Sequence, residues 1–387
     1  MSVQIAVGLS TLADPLEAGS EAAERAAQGL DSGQADLSLV FLAGRPLAAP
    51  EAALEGVHEA LGPKALVGCG AGGVLADGRE FEQGNATAVW AAALDGGTVE
   101  PFHARLTEDE ASPTIDGMPE LGDARAAIML ADPYSFPTDV LLSTLAADAP
   151  GVPIIGGLAS GRTADGSAAL LYGEDVHDAG AVGVLLEDVE VLPCVSQGAA
   201  PLGPEVTITA AEGNVIHQLA GRPALATVER IIAGLPASER ALVAGGLLLG
   251  IVVEGNKADY EQGDFLVRGV AGADPDSGAL VVGALVNEGQ VVRLHARNAR
   301  SADEDLRRQL RLRREALGGV APAGSIVFSC NGRGAAMFGA GDHDAVAVAE
   351  ELGGAPAAGF FAAGEIGPVG ARSFLHGFTA TIGVLPQ

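Results

Sequence analysis

The sequence predicts an α/β fold of the mixed α+β kind, in two halves built from a repeated strand–helix–strand–Gly-loop–strand unit with mixed sheets. Three observations predict it. Short apolar runs of strand type alternate with runs of helical period. That order of runs recurs three times. Each recurrence passes through a Gly-rich stretch of one form, G-x-x-A-x-G, and then into another apolar run.

The first copy opens at 37–42 (LSLVFL), a buried strand. A helix is expected over 51–61, where Leu54, Val57 and Leu61 fall on one face and Gly62-Pro63 ends it. A strand at 65–68 then enters GCGAGG. The second copy opens at 126–130 (AAIML), with Thr138 expected to cap a helix carrying Val140, Leu141 and Leu145. Pro150-Gly151 stops that helix, and the strand at 153–155 enters GGLASG. The third copy opens at 325–329 (SIVFS), with Asp342 or Asp344 as the cap of a helix that turns Val348 and Leu352 inward. It enters the Gly-rich stretch Gly359-Phe-Phe-Ala362-Ala-Gly364. The closing runs of the three copies are TAVWAAAL, AVGVLL and TATIGVL. Small residues let a strand end pack closely under another element, which explains the stretches structurally. Close backbone approach to a ligand is the functional alternative.

The Pro/Gly-rich passage 197–204 (QGAAPLGP) marks the boundary between an N-terminal domain, 1–204, and a C-terminal domain, 205–387. After it come a hairpin turning at Glu212-Gly213-Asn214, a helix with Pro223 in its first turn, and three strands at 247–253, 265–270 and 279–286.

Composition narrows the function. With 50 acidic against 22 basic residues the chain carries a net charge of −28, a field that repels nucleic-acid phosphates and anionic membrane surfaces. The longest apolar run, 241–253, is too short to span a bilayer, and the first residues lack a signal-peptide pattern, so a cytoplasmic location is expected. Cys69, Cys194 and Cys330 are too scattered for a disulfide framework or a zinc site, and no metal or cofactor is expected. The Gly68 stretch also fits G-x-G-x-x-G, but Asp77-Gly78 turns the chain where a dinucleotide site needs a helix to begin.

The ligand-binding candidates sit at strand ends. Arg333 lies between two glycines in Ser329-Cys330-Asn331-Gly332-Arg333-Gly334, where its forked donors suit a carboxylate or phosphate. Glu365 follows the third Gly-rich stretch and suits an ammonium group, or pairs with Arg333 as a structural ion pair. Asn331, Cys330 and His376 lie in the same copy. Asp132 and Tyr134 occupy the corresponding loop of the second copy, and Ser160 its Gly-rich stretch. Two other readings stand beside binding. Cys330 with His376 would make a thiol-dependent enzyme. The helix over 300–314, with Arg307, Arg308, Arg311 and Arg314 on one sector and Leu306, Leu310 and Leu317 opposite, would dock an acidic partner.

On these residues the chain resembles the FIST family. VGCGAGGV, LADPYSFPTDVLL and PIIGGLASG carry the N-terminal resemblance, and GDFLVRGVAGADPDSGAL, IVFSCNGRG, GFFAAGEIGPVG and FLHGFTATI the C-terminal one. It extends from about residue 25 to residue 383. The resemblance implies an intracellular sensory module that binds small ligands such as amino acids and is often fused to signalling domains or an F-box. Here the FIST-like region uses up the chain, so either the output is expected in a separate signalling partner or the protein is not a sensor. The resemblance brings no settled catalytic residues, and binding rather than catalysis is expected. It favours Arg333 and Glu365, which lie inside its motifs.

Overall fold

A computed structural model describes residues 2–107, 114–255, 257, 259–260 and 262–387. The chain divides into two compact units. The larger holds Met1–Val195, Leu306–Leu375 and Thr379–Gln387; the smaller holds Ser196–Asp305 and His376–Phe378.

In chain order the larger unit begins with β1 (Val3–Ser10), α1 (Pro15–Gln28), β2 (Leu37–Ala43), α2 (Pro50–Leu61), β3 (Ala65–Gly70), β4 (Val74–Ala76), β5 (Arg79–Phe81), β6 (Ala86–Leu94), β7 (Thr98–Leu106) and β8 (Ile115–Asp116). It continues with β9 (Ala126–Ala131), α3 (Thr138–Asp148), β10 (Ile154–Leu158), β11 (Leu170–Tyr172), β12 (Asp175–His177), β13 (Ala181–Glu187) and most of β14 (Leu192–Gln197), whose end belongs to the smaller unit. The smaller unit carries β15 (Ala199–Glu212), β16 (Val215–Leu219), β17 (Arg222–Pro223), α4 (Ala224–Gly234), α5 (Ala237–Val243), β18 (Leu247–Val252), β19 (Phe265–Asp274), β20 (Ala279–Val282) and β21 (Val291–Arg297). The division falls inside α6 (Ala299–Ala316). The third copy follows as β22 (Gly324–Cys330), α7 (Ala335–Phe338), α8 (His343–Glu351), β23 (Ala357–Ala362), β24 (Glu365–Val369), β25 (Arg372–His376) and β26 (Thr379–Leu385).

The fold is mixed α+β, and all three copies lie in the larger unit. Each pairs its first and second strands in parallel: β2 with β3, β9 with β10, β22 with β23. Each closing strand returns antiparallel to the first: β6, β13, β26. The parallel strands read as continuous apolar runs because both of their faces are covered, and each is buried along its whole length.

The short hairpin after each Gly-rich stretch leaves its own copy. β4–β5 of copy one adds to β23 of copy three, β11–β12 of copy two adds to β3 of copy one, and β24–β25 of copy three adds to β10 of copy two. The three sheets are therefore locked in a cycle, each completed by a neighbour's hairpin. One core runs through them, joining Phe41, Trp90, Ile128, Ile155, Phe328 and Phe360. Phe41 stacks on Phe360 at 5.0 Å, and the Trp90 indole N–H donates to Ser325 O at 3.1 Å.

The first glycine of each stretch has a steric cause. Gly68, Gly156 and Gly359 pair with Val40, Met129 and Val327 on the parallel neighbour. A Cβ at those positions would stand 2.1, 1.9 and 1.7 Å from the carbonyl oxygens of those residues, so no side chain fits.

The smaller unit is one antiparallel sheet in the order β15-β21-β18-β19-β20-β16-β17. β15 also pairs with β16, which closes six of its strands into a ring. Ala224, Val228 and Ile231 of α4 are buried with Leu249, Val292 and Leu294.

Several helix ends depart from expectation. α2 ends as predicted on Gly62, in the left-handed conformation at φ 52°. Thr138 does not cap α3: Pro137 holds the cap position and the Thr138 hydroxyl is buried without a partner. Asp342 holds the cap position of α8, yet its carboxylate accepts from Glu80 N–H at 2.6 Å and not from its own helix. Pro223 precedes α4 and does not lie within its first turn. Val140 is 63% exposed, whereas Leu141 and Leu145 are buried.

Candidate functional site

The three Gly-rich stretches leave the C-terminal ends of β3, β10 and β23 and close on one another. Gly161 N–H donates to Gly70 O at 3.1 Å, Leu158 N–H to Gly364 O at 2.8 Å, Ala363 N–H to Leu158 O at 3.0 Å and Phe361 N–H to Gly73 O at 3.0 Å. Ser160 ties all three stretches together: its hydroxyl donates to Phe361 O and accepts from Gly72 N–H at 2.9 Å. Asn331 is exposed beside this junction, where a Cβ on Gly72 would stand 3.8 Å from its side-chain oxygen. Carboxyl ends of parallel strands are where α/β sheets present ligand-reading groups.

Behind the junction lies a buried polar cluster. Arg333 donates from Nε and Nη2 to the two oxygens of Asp344, at 2.6 and 2.8 Å. Ser329 adds a third bond to Asp344 at 2.7 Å, and His343 Nδ1 lies 2.9 Å from the carboxylate. Burial alone would raise the Asp344 pKa, but the guanidinium overrides it and holds the carboxyl well below the usual carboxylate range. The Phe338 ring covers the guanidinium at 5.2 Å and stacks on His343 at 3.4 Å.

Glu365, the first residue of β24, is completely buried. Its Oε2 accepts from Thr379 N–H at 3.0 Å and from the Thr379 hydroxyl at 2.7 Å. Burial pushes the Glu365 carboxyl up to about 8, against the opposing pull of Thr379, the Cys330 thiol and Arg333. Three polar atoms in and beside this cluster are buried without a hydrogen-bond partner: Arg333 Nη1, Glu365 Oε1 and, on the carboxylate that bonds the Asp344 backbone, Glu80 Oε2. Cys330 is 8% exposed, and its sulfur accepts from Gly332 N–H at 3.4 Å.

Two acids from the exchanged β4–β5 hairpin region frame the Arg333 loop. Glu80 Oε1 accepts from Asp344 and Ala345 N–H, at 2.8 and 3.1 Å. Glu82 Oε1 accepts from Ala335 N–H at 2.8 Å. The hairpin of copy one thus fixes both ends of a loop in copy three.

The sequence profile of the FIST N domain matches residues 36–222, and that of the FIST C domain matches residues 224–368. The chain belongs to the FIST family. FIST domains are sensory and signal-transduction modules. An uncharacterised protein of Mycobacterium tuberculosis is 40% identical over 381 residues, covering 98% of this FIST chain and 99% of its own length. An uncharacterised protein of Mycobacterium bovis is 41% identical over 383 residues, covering 98% of each chain.

Of the residues singled out in the FIST sequence, Arg333, Glu365, Cys330, Asn331 and Ser160 gather at and behind the junction. Asp132 and Tyr134 form a separate group in copy two. Asp132 is buried and paired with Arg162, and accepts from the Ser135 hydroxyl at 2.6 Å. Tyr134 is 85% exposed, with the Arg162 guanidinium 4.5 Å over its ring. A surface cavity of about 610 Å³ near this loop includes Ser135, His103 and His177 in its wall. His376 is buried at the end of β25 and belongs to the smaller unit.

Arg307 and Arg311 of α6 are engaged with acids of the same chain, and Arg313 and Arg314 with backbone carbonyls. Arg307 bonds Glu350 at 2.8 Å and Glu351 at 3.3 Å, and Arg311 bonds Glu351 at 3.0 Å. Among the described residues no cluster of three or more His, Cys, Asp or Glu is placed to hold a metal ion. The Gly68 stretch runs directly into β4, so no helix N-terminus faces it for a pyrophosphate.

The sequence reading of this FIST chain missed Asp344 as the partner of Arg333, and missed Thr379, Phe338 and Glu82. Asp344 gave a signal, an acid in a first helical turn, but that pattern also fits a cap. Phe338 and Glu82 carry no signal in one sequence.

Proposed function

We propose that the chain is the ligand-reading component of a cytoplasmic sensory system, and that it takes a small carboxylate or amino-acid-like molecule at the strand-end junction. Its state is passed to a separate signalling protein. The observation that carries this reading is the pair of buried, unpartnered atoms, Arg333 Nη1 and Glu365 Oε1, in one cluster behind the junction. An unmade hydrogen bond on a buried polar group is costly, so such atoms mark a place where a bound group completes the network. Cys69, Cys194 and Cys330 form no disulfide with one another, which fits a reducing compartment.

The test is a thermal-shift screen against amino acids and small carboxylates, with Glu365→Leu, which removes donor and acceptor together, and Ser160→Ala alongside. Ligand at a hundred times its dissociation constant stabilises the fold by about 2.7 kcal/mol. A shift that weakens in both variants supports the reading. Absence of any shift across both ligand classes removes it.

A further inference from the structure

We propose that the group read at Arg333 and Glu365 is a carboxylate bound against a protonated Glu365, so that the recognised end of the ligand accepts two hydrogen bonds and brings no ammonium into the cluster. This rests on the reading above and narrows its ligand class.

The argument is an inventory of donors and acceptors. Glu365 Oε2 already accepts twice from Thr379, so a proton on this carboxyl belongs on Oε1. Oε1 accepts no hydrogen bond, and once protonated it becomes a donor with only the weakly accepting sulfur of Cys330 beside this carboxyl. Arg333 Nη1 is a second donor without an acceptor. Asp344 is already crowded, because its oxygens receive Nε, Nη2 and the Ser329 hydroxyl and lie 2.9 Å from His343 Nδ1. Two unspent donors ask for an acceptor, and an ammonium would only add more donors. A protonated Glu365 places no second anion beside the incoming carboxylate, and the guanidinium of Arg333 supplies a charge-assisted donor to it.

From β22 and the loop after it, the titratable groups acting on Glu365 are Cys330 and Arg333, with Asp344 bonded to Arg333. From β26 Glu365 meets Thr379, and its partner on β10 is Gly157, which carries no charge. Burial keeps this carboxyl protonated at neutral pH. Raising the pH through about 8 ionises it, and the binding-competent fraction then falls about tenfold between pH 7 and pH 9.

The experiment is isothermal titration of the full chain with propionate, ethylammonium and glycine at pH 7 and pH 9, on the parent and on Glu365→Gln. The amide of Gln keeps an N–H donor at either pH. Propionate is expected to bind the parent about tenfold more weakly at pH 9 and to bind Glu365→Gln equally at both. Titration at pH 9 in buffers of different ionisation enthalpy should show uptake of about one proton per propionate by the parent and none by the variant. Propionate binding to the parent that is unchanged at pH 9, or takes up no proton there, overturns the proposal. Binding of ethylammonium in place of propionate overturns the ligand class while leaving the site. Silence of all three probes overturns both readings.

Discussion

Arg333 and Asp344 face each other through two hydrogen bonds, with 0% and 1% of their side chains exposed. The pair is held from outside its own copy, because Glu80 of the exchanged hairpin receives the backbone N–H of Asp344. Removing one partner strands a charge in a place water does not reach. Arg333→Met should therefore destabilise the fold by about 3–5 kcal/mol, measured by urea unfolding. The double variant Arg333→Met with Asp344→Leu should lose less than the sum of the two single changes. Strict additivity would show that the two charges do not depend on each other.

Glu365 sets a pH dependence of the opposite sign to an ordinary carboxylate. Its folded pKa of about 8 stands above the roughly 4.3 of an unfolded glutamate. The folded state thus binds the extra proton between those values, and stability from this group falls as pH rises through that window. Glu365→Gln should match the parent near pH 4, gain on it steadily, and keep a constant advantage above pH 8. Urea midpoints at pH 5 and pH 8 check this. An equal difference at both would place the carboxyl in its charged form throughout.

Much of this architecture is legible in the sequence, and the missing part has a physical reason. The strand and helix runs of all three copies read correctly because each strand is buried on both faces and each stop carries its own residue, as Gly62 does. Gly68, Gly156 and Gly359 read as one motif because one steric demand acts on all three. The exchange of hairpins does not read. Val74–Ala76 is three residues long, and its partner, β23, lies almost three hundred residues away. Nothing local in those residues distinguishes pairing with β23 from pairing within copy one. Arg333 reads as a ligand-reading residue for its forked donors, but the folded chain spends two of them on Asp344.

The glycine motif makes a position-by-position prediction. Gly359→Ala would place a Cβ 1.7 Å from Val327 O, which backbone movement alone can relieve. Its cost should reach or exceed the upper end of the about 1–3 kcal/mol of ordinary overpacking. Gly72→Ala, in the first stretch, meets its nearest atom at 3.6 Å and should stay within about 0.5 kcal/mol of the parent. Thermal unfolding of both variants separates a steric requirement from a general preference for glycine in these loops. Similar costs at the two positions would remove the steric account.

Arg307 and Arg311 of α6 pair within the chain itself, with Glu350 and Glu351 of α8. Arg307 and Arg311 are 27% and 52% exposed, so solvent screens their bonds to Glu351, which is itself 16% exposed. Replacing both with Gln should cost no more than about 1 kcal/mol in all, less in high salt than in low. Leu306 and Leu310, on the opposite face and fully buried, carry the larger share. Leu310→Ala should cost about 2–5 kcal/mol with little dependence on salt. Urea unfolding at two salt concentrations distinguishes the two faces. If the arginine variant proved the costlier and the more salt-independent of the two, the helix would be held by its charges and not by its leucines.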